Sequence, residues 1–141
     1  MPTRKATATW EGTLKTGKGT FKGESGVVAG GYGFSSRFEN GPGSNPEELL
    51  AAAEAGCFSM ALSLALEQAG SPPTRVDTEA ACTIDRVGEG FKITKIRLSV
   101  RGHVPNIDAA KFEQIARKTK ETCPVSVALK AVDIELDARL A

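Results

Sequence analysis

One segment constrains the fold more than any other: a helix predicted over residues 45–70. Asn45 can cap it, Pro46 suits its first position, and Gly70, followed closely by two prolines, can end it. Apolar residues recur along this helix at spacings of three and four, forming a stripe of Leu50, Ala53, Cys57, Met60, Ala61 and Leu64. Because Cys57 lies in the middle of this stripe, we expect its thiol to be buried or half buried.

Shorter elements surround this helix. Alternating apolar and polar residues predict strands near residues 6–10, 20–22, 76–85, 91–100 and 132–139, with a bulge near residues 94–95. Further helices are expected at 108–121 and 124–130. The glycine-rich segments 17–20 and 30–33 are interpreted as turns, since no helix follows them as in a phosphate loop. The element order predicts an α+β fold with mainly antiparallel sheets, in one domain spanning residues 1–141.

Charge and hydropathy exclude several classes of partner. The chain has 141 residues and a formal net charge of +1, which gives no attraction to nucleic acid. No apolar stretch is expected to reach the roughly 18 residues that cross a bilayer. Residues 1–5 are not followed by the apolar region of a secretory signal. We therefore expect a cytoplasmic protein without membrane or nucleic-acid partners, whose three cysteines form no structural disulfide framework.

The three cysteines have different settings. Cys82 falls on the inward face of a predicted strand, where cysteine usually acts as a small apolar residue. Cys57 and Cys123 are candidates for a redox pair. Cys123 precedes a short helix, so position alone favours it as the nucleophile. A thiol within a helix, such as Cys57, needs a nearby cation, for which Arg37 is a candidate.

Other chemistries have weaker support. The three cysteines with His103 could form a zinc site, but zinc ligands usually occur in close pairs and these are all single. A serine hydrolase of the common type would show a G-x-S-x-G motif, which is absent.

Three motifs carry a resemblance to a known family: NPEEL at residues 45–49, AGCFS at 55–59 and CPVS at 123–126. Together with segments near residues 10, 17, 32, 37 and 91, they make the chain similar to the OsmC/Ohr thiol peroxidases, in the OsmC branch. The resemblance covers essentially the whole chain. It implies an intertwined homodimer in which mainly antiparallel sheets wrap around central helices and the active sites lie at the subunit interface.

The resemblance also implies roles for four residues. Cys57 resembles the peroxidatic thiol and Cys123 the resolving thiol, which reverses the preference from position alone. Arg37 resembles the arginine that stabilises the thiolate, and Glu47 the carboxylate that holds this arginine, in the same subunit or the partner. The implied activity is reduction of organic hydroperoxides, and more weakly hydrogen peroxide, through a Cys57 sulfenic acid and a Cys57–Cys123 disulfide that a dithiol recycles. No metal, flavin or haem cofactor is required.

One departure from the family pattern concerns Glu54, where many relatives have His or Tyr. A negative charge one helical turn before Cys57 would oppose thiolate formation if it points inward. Phe58 and Met60 are expected to provide an apolar lining for an organic peroxide. Two alternatives remain at this point: a non-catalytic binding or structural domain, and a general disulfide reductase.

Overall fold

The computed structural model describes residues 1–141, which form two compact units, residues 1–49 and 50–141. The assignment of a single domain stays a prediction. The elements in chain order are β1 (Ala6–Glu11), β2 (Lys18–Gly23), β3 (Ala29–Tyr32), α1 (Phe34–Phe38), α2 (Pro46–Gln68), β4 (Arg75–Val87), β5 (Gly90–His103), α3 (Ala109–Thr122), α4 (Pro124–Ala128) and β6 (Asp133–Leu140).

The first unit contains an antiparallel sheet in the order β1-β2-β3. Its aromatic side chains cluster around Tyr32, whose ring centroid lies 5.5 Å from that of Trp10 and 5.7 Å from that of Phe21. At Gly19 a side chain would collide with Tyr32, since a Cβ there would come within 2.5 Å of its ring. The interpretation of residues 17–20 and 30–33 as turns is wrong, because residues 18–20 belong to β2 and residues 30–32 to β3, which pairs with β2. Two glycines in β3 hide the alternation that marks a strand.

The second unit contains a sheet in the order β4-β5-β6. β4 and β5 form a long antiparallel hairpin, and their register shifts where Thr83 pairs with Lys95 but Ile84 pairs with Ile93. Thr94 is thus the extra residue, which confirms the predicted bulge. β6 runs parallel to β5, so three of the four strand pairings are antiparallel. The predicted α+β class with mainly antiparallel sheets is confirmed.

Helix α2 has the predicted limits but buries a different face. The Asn45 side-chain oxygen accepts the backbone N–H of Glu48 at 2.8 Å, and Gly70 takes a φ of 84° after the helix ends. Beyond Glu47 in the first turn, the buried side chains are Glu54, Phe58, Leu62 and Leu66, at a strict spacing of four. Three members of the predicted stripe are instead exposed: Ala53, Met60 (79%) and Leu64 (54%). The helix is apolar on all sides, so periodicity alone does not select the face that packs inward.

The expectation about membrane-spanning length also needs correction. α2 is long and apolar enough to cross a bilayer by length and composition, with a mean hydropathy of 1.8 over 18 residues. The central helix of a soluble protein passes the same test, and one such helix is weak evidence of a span. Only 22% of this window is buried within the chain, so α2 presents a largely uncovered apolar surface.

Helices α3 and α4 lie where helices were predicted, whereas the short helix α1 was not predicted. Asp108 caps α3 by accepting the backbone N–H of Lys111 at 2.7 Å. α3 ends at Cys123, and α4 begins with Pro124 at its first position. Phe112 and Ala116 of α3 join Phe58, Leu62 and Leu66 of α2 in the core. This packing brings the α3–α4 junction to the middle of α2.

Candidate active site

The two predicted redox cysteines are in contact. Cys57 lies in the middle of α2 and Cys123 at the α3–α4 junction, and their sulfurs lie 3.1 Å apart, within hydrogen-bond distance. Cys123 is fully buried, whereas Cys57 is half buried. A dissolved oxidant therefore has access to Cys57 first, and Cys123 lies behind it.

The immediate surroundings of Cys57 oppose its ionisation. Burial has the largest effect and raises the pKa of the Cys57 thiol above its ordinary value. The hydrogen bond and charge of Cys123 and the negative charge of Glu54 raise this pKa further. The backbone N–H of Val125, in the first turn of α4, donates to the Cys57 sulfur and acts in the opposite direction. A thiol in this setting needs an added cation to become a thiolate near neutral pH.

The Glu54 side chain points inward, which is the orientation in which its negative charge opposes ionisation of Cys57. Its side chain is completely buried, and one carboxylate oxygen accepts the hydroxyl of Ser126. The other oxygen, Oε2, has no hydrogen-bond partner. Sequence reasoning named Glu54 only as an opposing charge and missed Ser126, although CPVS places this hydroxyl one helical turn after Cys123.

Arg37 and Glu47 form an ion pair within the first unit. The Arg37 side chain donates to the same Glu47 oxygen through Nη2 at 2.9 Å and through Nε at 3.2 Å. Glu47 has 7% of its side chain exposed and Arg37 has 34%. The guanidinium is thus held by a buried carboxylate while part of it stays accessible. The Phe38 ring adds a cation–π contact, with its centroid 5.3 Å from Arg37 Cζ.

Neighbouring polar side chains fix the segments that carry this ion pair. The buried Ser36 hydroxyl accepts the Gly33 N–H at 2.9 Å and donates to the Ser44 carbonyl at 2.8 Å. The Asn45 amide donates to the Ser36 carbonyl at 2.9 Å. α1 is therefore tied to the start of α2, which sets the positions of Arg37 and Glu47.

An aromatic recess of about 290 Å³ opens beside Arg37 in the first unit. It is lined by Trp10, Leu14, Tyr32, Gly33, Phe34, Arg37 and Phe38. An apolar wall with one cation suits a molecule that has an organic tail and a polar or anionic head. Phe58 and Met60 were predicted to line such a space, but neither lines this recess: Phe58 is fully buried in the core and Met60 is exposed on α2.

The other cysteine and the histidine do not join the sulfur pair. Cys82 is half buried within β4, and the His103 ring, at the end of β5, lies 3.5 Å from an Asp77 oxygen. No group of three or more His, Cys, Asp or Glu side chains is arranged to hold a metal ion.

Comparison with known proteins gives a consistent match. The family model described as OsmC-like protein matches residues 39–137. Peroxiredoxin OsmC of Escherichia coli is 54% identical over 138 residues, covering 97% of this chain and 96% of that protein. An organic hydroperoxide resistance protein of Xanthomonas axonopodis is 32% identical over 98 residues, covering 68% of this chain and 67% of that protein.

A solved structure supports the same assignment. The organic hydroperoxide resistance protein from Elizabethkingia anophelis, crystallised with thiocyanate bound, superposes with a TM-score of 0.78 and 25% identity. The match covers 100% of this chain and 98% of that one. With the full-length match to the E. coli protein, this fold places the chain in the family of OsmC-like proteins.

Proposed function

We propose that this protein is a cysteine-based peroxidase that reduces organic hydroperoxides with electrons from a dithiol. The observation that carries the proposal is the 3.1 Å contact between a half-buried and a fully buried thiol. The names of its relatives, a peroxiredoxin and organic hydroperoxide resistance proteins, support the substrate class.

The first step is attack by the Cys57 thiolate on one peroxide oxygen. The O–O bond breaks, the sulfur is oxidised to a sulfenic acid, and the departing alkoxide takes a proton to become an alcohol. Cys57 is the attacking thiol because it is the more accessible of the pair. The backbone N–H of Val125 supports its ionised form.

The second step joins the two sulfurs. The Cys123 sulfur attacks the Cys57 sulfenic acid, the S–O bond breaks, and the hydroxide leaves as water with the thiol proton. An external dithiol then reduces the disulfide by exchange, which returns both thiols and leaves the reductant as a disulfide. The adjacency of the sulfurs supports this step, since the resolving thiol needs no large displacement.

Arg37 is the cation that we assign to the Cys57 thiolate, acting in the same subunit or from a partner. Burial, Cys123 and Glu54 all raise the pKa of Cys57, so an opposing positive charge is required. Arg37 suits this role because Glu47 fixes its orientation and part of the guanidinium stays accessible. The recess beside Arg37 would take the organic part of the hydroperoxide.

A peroxidase assay with a dithiol tests the proposal. Cys57→Ser should abolish turnover, while Cys123→Ser should complete one turnover and then accumulate sulfenic or sulfinic acid. Cys82→Ser is the matched control and should keep wild-type turnover. Unchanged hydroperoxide consumption by Cys57→Ser would refute the peroxidase. Rapid reduction of protein disulfides without hydroperoxide consumption would favour the general disulfide reductase.

We also infer that the chain works as a homodimer in the cytoplasm, with the second copy covering α2. The support is the uncovered apolar surface of this helix, which includes Met60 and Leu64. Replacing both with glutamate should convert a dimer to a monomer in light scattering after size-exclusion chromatography. Wild type that is already monomeric at micromolar concentration would contradict the inference. Partition of the wild type into liposomes would instead favour a membrane partner.

A further inference from the structure

Two contacts join α2 to the α3–α4 junction, one helical turn apart. Cys57 meets Cys123, and three residues earlier on α2 Glu54 meets Ser126, which lies three residues after Cys123. Residues three apart on a helix lie on the same face, so these contacts form two adjacent rungs. The proposed redox reaction uses the Cys57–Cys123 rung, whereas the Glu54–Ser126 rung has no part in it.

As a purely structural contact, the Glu54–Ser126 rung would lower the stability of the fold. Glu54 is completely buried and Ser126 is 2% exposed, yet Glu54 Oε2 has no partner. An unpaired buried carboxylate oxygen destabilises the fold, and an apolar residue would fill the site more cheaply. A costly polar contact beside a reactive pair points to a role in positioning.

α4 needs such an anchor. It has only five residues, and helices this short are marginal in isolation. Pro124, Val127 and Ala128 face solvent, which leaves Cys123, Val125 and Ser126 to hold the segment inward. The Ser126–Glu54 hydrogen bond is therefore a main polar tie between this turn and α2.

We propose that Glu54 is a positioning residue for disulfide formation: through Ser126 it holds Cys123 against Cys57 while Cys57 carries the sulfenic oxygen. This inference rests on the proposed peroxidase function. A sulfenic acid adds an oxygen to the sulfur that Cys123 must reach, and the sulfurs must close from 3.1 Å to about 2 Å. Without the second rung, Cys123 is no longer held against the oxidised Cys57, and the sulfenic acid persists.

Four variants separate this role from simple loss of structure. Ser126→Ala and Glu54→Ala break the rung, whereas Glu54→Gln keeps an oxygen that accepts the Ser126 hydroxyl. Glu54→Ala and Glu54→Gln remove the same charge, so their difference isolates the hydrogen bond. In a Ser126→Ala/Glu54→Ala double variant the two losses should not add, because both remove one interaction.

The measurement is a single turnover with a stoichiometric organic hydroperoxide, in which dimedone competes with Cys123 for the sulfenic acid. We expect Ser126→Ala to close the disulfide about tenfold more slowly, with a matching rise in dimedone adduct, while thiol oxidation is unchanged. Disulfide closure in Glu54→Ala should be slower than in Glu54→Gln by a similar factor. Wild-type closure in Ser126→Ala, or equal closure in the two Glu54 variants, would overturn the proposal.

A parallel experiment makes failure of the positioning role distinct from failure of the peroxidase. Diamide oxidises paired thiols to a disulfide without a hydroperoxide, so closure of Cys57 with Cys123 can be timed directly by mass spectrometry. In one possible outcome, the wild type does not consume hydroperoxide but forms the disulfide with diamide, and Ser126→Ala forms it more slowly. That outcome would refute the peroxidase and keep the positioning role. Equal diamide closure in wild type and Ser126→Ala would refute the positioning role alone.

Discussion

The Cys57–Cys123 sulfur pair and the Arg37–Glu47 charge pair have opposite effects on ionisation: the first resists it, and the second can favour it. Cys57 and Cys123 lie in residues 50–141, in a buried setting that raises the pKa of Cys57. Arg37 and Glu47 lie in residues 1–49, where the carboxylate is buried and the cation is partly exposed. The first region holds the two thiols, and the second holds an oriented cation. Under the proposed function, thiolate formation at Cys57 depends on Arg37, acting in the same subunit or from a partner.

Removing the cation is the strongest test of this comparison. We expect Arg37→Ala to lower turnover at pH 7 by about 100-fold, the usual loss for one electrostatic group at a reacting centre. Without the cation the Cys57 thiol ionises only at higher pH, so the rate of alkylation by iodoacetamide should rise at higher pH than in wild type. Glu47→Gln should cause a smaller loss, because it frees the guanidinium but keeps its charge. If the pH profile of alkylation were identical in Arg37→Ala and wild type, Arg37 would have no effect on the ionisation of Cys57.

The recess beside Arg37 gives a second, smaller effect. Phe38→Ala should raise KM for a bulky organic hydroperoxide about fivefold, which corresponds to the loss of about 1 kcal/mol of apolar contact. Its KM for hydrogen peroxide should barely change, since that substrate has no apolar tail. Val87→Ala, which alters an exposed residue of the other unit, serves as a matched control. Equal changes for both substrates would mean that Phe38 acts on Arg37 rather than on the organic tail.

Local patterns predicted most strands and the limits of α2 and α3, because these depend on neighbouring residues, but they missed β3 and α1. The cap at Asn45 and the bulge at Thr94 are such cases. The buried face of α2 could not be derived in this way. Its apolar residues surround the helix, and packing in a core with residues of β5 and α3 selects Phe58 over Met60.

Only part of the site in residues 50–141 could be predicted from the sequence. Cys57 and Cys123 were named from motifs, and their contact follows from the packing of the α3–α4 junction on α2. Glu54 was flagged because charge near a thiol has a known sign, but Ser126 was missed. A serine in a short helix carries no sequence signal until its buried partner is known.

The smallest expected effect concerns the charge that opposes Cys57. Glu54→Gln removes a negative charge and keeps the hydrogen bond from Ser126, so the main change is electrostatic. A nearby anion disfavours the thiolate and raises the pKa of Cys57, so its loss should lower that pKa and shift the alkylation profile to lower pH. Below the wild-type pKa the variant should react a few-fold faster, and well above it the two rates should converge because both thiols are ionised. Ser126→Ala keeps the charge and should leave the profile in place. A shift to higher pH in Glu54→Gln would mean that the buried carboxyl group assists ionisation, and the contrast between a sulfur region that resists ionisation and a charge region that promotes it would no longer hold.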